Sequence, residues 1–137
     1  MKKQGITLLF HHHNYEFVPI GTSNSFSLLT EYLDPENVGF VFDTYWLQRS
    51  GFSPADYIRA HRGLVYGVHL RDFTLKGPLW NPHIKDTELG RGNLNFPDIL
   101  SACRETGVSY AAIEQNSSDP WQSLAASTAY LRSLGVK

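Results

Sequence analysis

The sequence predicts an α/β protein built on a four-stranded parallel sheet, and three observations carry that expectation. A pattern of apolar run, polar loop and helical stretch occurs four times within 137 residues. The runs, which begin near positions 6, 38, 64 and 108, are almost continuously apolar, as strands read when both faces of a parallel sheet are covered. Strands that alternate with helices imply βαβ crossovers, which are right-handed. The four helical stretches differ too much for a short solenoid repeat.

Taken in order, the first run is Ile6 to Phe10, followed by a helical stretch over Ser25 to Leu33. The second, Val38 to Phe42, precedes a helix starting near Ser53. There Ser53-Pro54-Ala55-Asp56 supplies an N-cap serine, a proline at the first helical position and an acid in the first turn. The third, Leu64 to Leu70, leads into a long loop. Its helix begins at Asn95-Phe96-Pro97-Asp98 and stops near Gly107, which suits a left-handed C′ position. The fourth, Val108 to Ile113, leads to Asp119-Pro120 and a final helix ending near Gly135.

Composition narrows the class. With 42% hydrophobic and 18% charged residues the chain reads as one soluble globular domain over 1–137. The net charge is −1 with no basic patch, so neither nucleic acid nor an anionic membrane is an expected partner. No apolar run approaches the roughly 20 residues that span a bilayer. The lone cysteine, Cys103, rules out an intramolecular disulfide and fits a reducing compartment, with the cytoplasm as the default. It reads as a small core residue, and Tyr130 and Leu131 of the last helix read as packing.

Polar residues recur at one topological place. His11, Asp43, His69 and Glu114 lie at or one step beyond the C-terminal ends of the four runs. Barrels build their sites on that rim from several strand ends, whereas an open sheet concentrates its site at one switch point beside a glycine-rich turn. With no G-x-G-x-x-G or Walker pattern present, an open-sheet nucleotide-binding domain ranks last. Four βα units of a (β/α)8 barrel are favoured. Asp43, His69 and Glu114, spaced 26 and then 45 residues apart, suit a borderline-hard divalent cation: Mn²⁺ first, with Mg²⁺, Co²⁺ or Zn²⁺ as alternatives. His11 offers a fourth ligand, and His13 points to the same side of an extended chain. His12 faces the other way and reads as structural. His61 and His83 read as solvated positions without a role.

The segments G-I-T-L-L-F-H-H-H-N-Y-E-F (5–17), D-P-E-N-V-G-F-V-F-D-T-Y-W-L-Q-R-S-G (34–51), V-H-L-R-D-F (68–73), E-L-G-R-G-N-L-N-F-P-D-I-L (88–100) and I-E-Q-N (113–116) resemble the sugar phosphate isomerase/epimerase family. The resemblance implies the C-terminal half of a xylose isomerase-like TIM barrel, strands five to eight. It implies that Asp43, His69 and Glu114 are metal ligands and that Glu114 also transfers protons. Many family members carry a glutamate where this chain has His11. Paired-glutamate epimerisation is therefore not carried over intact, and His11 is a ligand, the second base, or neither; Glu16 is a weaker substitute.

The implied chemistry is proton abstraction next to a carbonyl through a metal-stabilised enediolate, on a sugar or sugar phosphate. Epimerase, isomerase and dehydratase outcomes all stay open. Arg71 is expected to hold a substrate oxygen or phosphate, or else to pair with Asp72 or another rim acid. Trp46 is expected to stack on a sugar face or pack under a loop. His13 is a further substrate-side candidate. Thr74 to Asn93 is expected to be a long loop serving as a substrate lid. A half barrel exposes two sheet edges, so a homo-oligomer or a companion half-barrel is the expected assembly. The alternative is a non-catalytic half-barrel subunit or truncated remnant.

Overall fold

The computed structural model describes residues 4–137. Four parallel strands form the sheet: β1 (Leu8–His11), β4 (Val38–Asp43), β5 (Val65–Leu70) and β8 (Tyr110–Ile113), in that spatial order. This is the expected α/β half barrel. Two small antiparallel hairpins lie outside it, β2 (Pro19–Ile20) with β3 (Ser23–Asn24), and β6 (Asp72–Lys76) with β7 (His83–Thr87). The helices are α1 (Ser25–Tyr32), α2 (Thr44–Arg49), α3 (Pro54–Ala60), α4 (Phe96–Thr106) and α5 (Pro120–Ser133). No helix among the described residues is long and apolar enough to cross a membrane.

The start signals read from the sequence are used. Ser53, Asn95 and Asp119 each cap a backbone N–H in the first turn of α3, α4 and α5, with proline at the start of each helix. Gly107 closes α4 in the left-handed region at φ 77°, where a side chain would be strained.

Three expectations are corrected. The first strand begins two residues later than Ile6 and includes His11. A helix absent from the sequence reading, α2, starts directly after β4, because the Asp43 carboxylate accepts from the backbone of Tyr45 and Trp46 and nucleates the turn. And the stretch read as a loop from Thr74 is largely a hairpin, paired from Asp72↔Thr87 to Lys76↔His83. Its strands are short and mostly exposed, and the six-residue connection carries Pro78 and Pro82, so its local pattern resembles a loop.

The core lies between the sheet and its helices. Phe40 and Phe42 of β4 pack with Phe26 of α1, Leu47 of α2 and Ile58 of α3, while Val68 and Leu70 of β5 share the cluster with Phe96, Ile99 and Ala102 of α4. Arg59 on α3 forms ion pairs with Asp98 and Glu105 on α4 at 2.6 and 2.8 Å. The inner strands β4 and β5 are the better covered, though Tyr66 on β5 is exposed. β1 and β8, each unpaired on one side among the described residues, are partly exposed along their length. Near the outer edge of β1 an apolar cavity of about 420 Å³ is lined by Phe10, Leu28, Leu29, Tyr32 and Leu33.

One carboxylate organises the far side of the rim. Asp72, fully buried, accepts backbone N–H groups from Phe73, Gly90, Gly92, Asn93 and Leu94 at 2.8–3.3 Å. Burial pushes its carboxyl upward, and the backbone donors pull against that shift. Gly92 sits so close that an added Cβ would collide with the Asp72 carboxylate and the Phe73 carbonyl, neither of which can swing away. Gly92→Ala is expected to cost about 2–4 kcal/mol, read as a lowered Tm. Gly67→Ala should cost less, since the atoms nearest its methyl belong to the ring end of the exposed Tyr110.

Candidate metal centre

Strand register brings the four rim residues together. Asp43 pairs with His69 across β4 and β5; His11 pairs with Val41, two residues before Asp43; and His69 pairs with Ala112, two residues before Glu114. Side chains alternate along a strand, so offsets of two leave all four on one face. One ligand atom from each of His11, Asp43, His69 and Glu114 lies within 4.8 Å of the others. His69 Nδ1 is 2.6 Å from Glu114 Oε2, and the His11 and His69 rings lie 4.6 Å apart.

Asp43 is fully buried and its two oxygens differ. Oδ1 accepts from the N–H groups of Tyr45 and Trp46 at 2.8 and 3.1 Å. Among the described residues Oδ2 has no hydrogen-bond partner, and neither does His11 Nε2, which faces it across 3.6 Å. A buried carboxylate oxygen without a donor is costly, and so is an unpaired imidazole nitrogen. Two imidazoles and two carboxylates converging on that gap fit a divalent cation of borderline hardness.

His12 holds the scaffold, as its position in the run predicts. It is fully buried among Phe17, Phe26 and Phe42. Its Nε2 accepts the Asp43 N–H at 3.1 Å while Nδ1 lies 3.2 Å from the His13 carbonyl, which assigns the proton to Nδ1. Desolvation lowers its pKa to about 4, so the ring is neutral at pH 7 and free to accept.

The remaining candidates fall around this centre. His13 lies outside the quartet, its ring 5.1 Å from His11 and 5.3 Å from Trp46, with Nδ1 3.0 Å from the Tyr15 hydroxyl. Trp46 is half-buried beside Tyr45. Glu16 is occupied elsewhere, accepting from the His13 N–H at 2.8 Å. Arg71 is buried and pairs with Glu114 and Asp86, not with Asp72. His83 is exposed, but His61 is not a solvated position: it stacks on Tyr57 at 4.1 Å and touches the rings of Phe26 and Phe42. Sequence reading missed Asp86 and Tyr45, whose positions depend on the hairpin and on α2. Cys103 is half-buried, and burial pushes its thiol up to about 11.

The profile of the xylose isomerase-like TIM barrel matches residues 1–134. The chain belongs to that family. No protein of curated function matches it. Among solved structures, the family fold recurs in a sugar phosphate isomerase/epimerase from Parabacteroides distasonis (TM-score 0.76, 23% identity, 96% of this chain and 46% of that one). It recurs in a xylose isomerase-like TIM barrel protein from Mycobacterium smegmatis in complex with magnesium (0.71, 18%, 97% and 45%) and in an L-ribulose 3-epimerase (0.65, 18%, 97% and 48%). The chain thus spans about half the length of the solved structures it matches.

The neutral state of His12 has a pH consequence for the metal-free protein. Its folded pKa of about 4 lies below the ordinary imidazole value of 6.5, so the unfolded chain binds the proton first. Its contribution to stability is complete above pH 6.5 and declines as pH falls toward 4, by about 3 kcal/mol in all. Denaturant midpoints across pH 4–7 with chelator present measure this, and His12→Gln is expected to flatten the His12 part of the slope.

Proposed function

We infer that the chain carries the divalent-metal site of a sugar isomerase or epimerase, as a single half-barrel domain over 1–137 corresponding to the last four strands of the family barrel. The observation that carries the reading is the pair of partnerless buried atoms, His11 Nε2 and Asp43 Oδ2, facing each other across 3.6 Å. His11, Asp43, His69 and Glu114 would hold the ion; Mn²⁺ is favoured, with Mg²⁺, Co²⁺ or Zn²⁺ suiting the same donors. When bound, a divalent cation offsets the negative charge that develops on a sugar carbonyl oxygen as an enediolate forms.

The chain's own groups do the rest. Glu114, with its side chain 40% exposed, reaches the mouth and takes the proton next to the carbonyl. His11, on the opposite strand β1, is either a fourth ligand or, left off the ion and protonated from solvent, the group that returns a proton while Glu114 keeps the one it took. With His11 as a ligand, Glu114 returns its own proton. Return to the same carbon gives an epimer, to the neighbouring carbon an isomer, and loss of a β-hydroxyl a dehydration. His13, whose ring lies 5.1 Å from that of His11, and the tilted Trp46 ring 5.3 Å beyond it offer aromatic surface for the apolar face of a sugar, phosphorylated or not. The names of two matched structures, a sugar phosphate isomerase/epimerase and an L-ribulose 3-epimerase, support this substrate class. The half-buried Cys103 suits a reducing compartment, and the cytoplasm is the proposed location.

A second reading concerns assembly. The unpaired edges of β1 and β8, with exposed Leu8 and Tyr110, favour a half-barrel subunit that needs a second half, from another copy or a companion, before it turns over.

Two measurements test these readings. Mn²⁺ titration should show Asp43→Ala and Glu114→Ala weakened beyond the roughly 100-fold upper range for outer-shell changes; unchanged affinity in both would end the metal reading. Sedimentation velocity should show a species heavier than one chain, and a compact monomer with cooperative unfolding would end the assembly reading.

A further inference from the structure

Glu114 stands at the end of β8 with 40% of its side chain open to solvent, which leaves a flexible carboxylate to be aimed. Its Oε2 faces His69, and its Oε1 accepts from Arg71 Nη1 at 3.2 Å. Arg71 is itself clamped. The face of Tyr45 lies 4.1 Å from its guanidinium carbon, and Asp86 Oδ2 accepts from both Nε and Nη2 at 3.2 and 2.8 Å. The same Asp86 oxygen accepts from the Asn116 N–H at 3.3 Å, two residues beyond Glu114. Asp86 lies on β7, paired with Phe73, so the hairpin delivers it to this place. Three guanidinium N–H groups are thus committed to carboxylates, which argues against Arg71 as a substrate-phosphate ligand.

We propose that Asp86 is a positioning residue for the metal site, acting through Arg71 to aim Glu114. The inference rests on the reading that the quartet binds a divalent cation, and it assigns Asp86 two effects. It fixes the guanidinium so that Glu114 Oε1 is held and Oε2 is turned toward His69. It also neutralises a buried cation that would otherwise cancel the charge of a ligand carboxylate. The hairpin is accordingly a fixed wall of the site, tied down by Asp86 at β7 and by Asp72 at β6.

The test is a double-mutant cycle on Mn²⁺ affinity, measured by titration of the full chain as wild type, Asp86→Asn, Arg71→Met and the double variant, with circular dichroism confirming the fold of each. Asp86→Asn is expected to weaken Mn²⁺ binding about 10–100-fold and to have no further effect once Arg71 is Met, because the route runs through Arg71. Affinity within about twofold of wild type in Asp86→Asn overturns the proposal, and so does an equal loss in both backgrounds. A wild-type chain that does not bind Mn²⁺ overturns the metal reading along with it. Should Asp86→Asn fail to fold, Arg71→Lys takes its place: a lysine keeps the charge but cannot span both carboxylates, so weakened binding is again expected and unchanged affinity overturns the proposal.

Discussion

The site depends on how Asp43 divides its polar groups. Its N–H goes to His12, one carboxylate oxygen starts α2, and the other faces His11. Each assignment constrains the next. The cap commits Oδ1 to the helix, so only Oδ2 is left for the rim. The N–H bond requires a neutral His12, and burial among three phenylalanine rings keeps it neutral. A structural histidine and a helix start therefore hold one carboxylate oxygen in a buried gap with no partner among the described residues.

Arg71 and Asp72 repeat this division at the end of β5. Adjacent in sequence, they serve opposite directions: Arg71 toward Glu114 and the mouth, Asp72 toward the 90–94 backbone. The Gly90-Arg91-Gly92 stretch wraps around the Asp72 carboxylate, and neither glycine has room for a side chain. A short irregular loop is thereby held by one buried anion, and the hairpin between Asp72 and Thr87 has both strand bases anchored. That arrangement suits a rigid wall better than a closing lid, because opening it would strip a buried carboxylate of the four donors from Gly90, Gly92, Asn93 and Leu94.

The sheet itself is complete on the inside and open at its sides. β4 and β5 are mostly buried, with a bulge at the exposed Tyr66 where the β4–β5 register shifts. β1 and β8 have the apolar composition of inner strands but the exposure of edges. Composition of that kind belongs to strands with neighbours on both sides, in keeping with a chain that spans about half the length of the structures sharing its fold.

How much was legible in the sequence follows from the range of the forces involved. The four βα units, the Ser53, Asn95 and Asp119 caps and the Gly107 stop depend on neighbours within a few residues, so local pattern reports them. His11, Asp43, His69 and Glu114 were legible because the end of a strand is a topological address shared by all four runs. Helix α2 was hidden because a single carboxylate nucleates it, and the β6–β7 hairpin because its pairing crosses a proline-bearing connection. Asp86 had no local signal at all, since its importance comes from Arg71, fifteen positions away, and from Asn116, thirty positions away. The sequence alone thus determined which side chains stand on the rim. Only tertiary packing decided which of their atoms are satisfied by neighbours and which two are left facing each other without a partner.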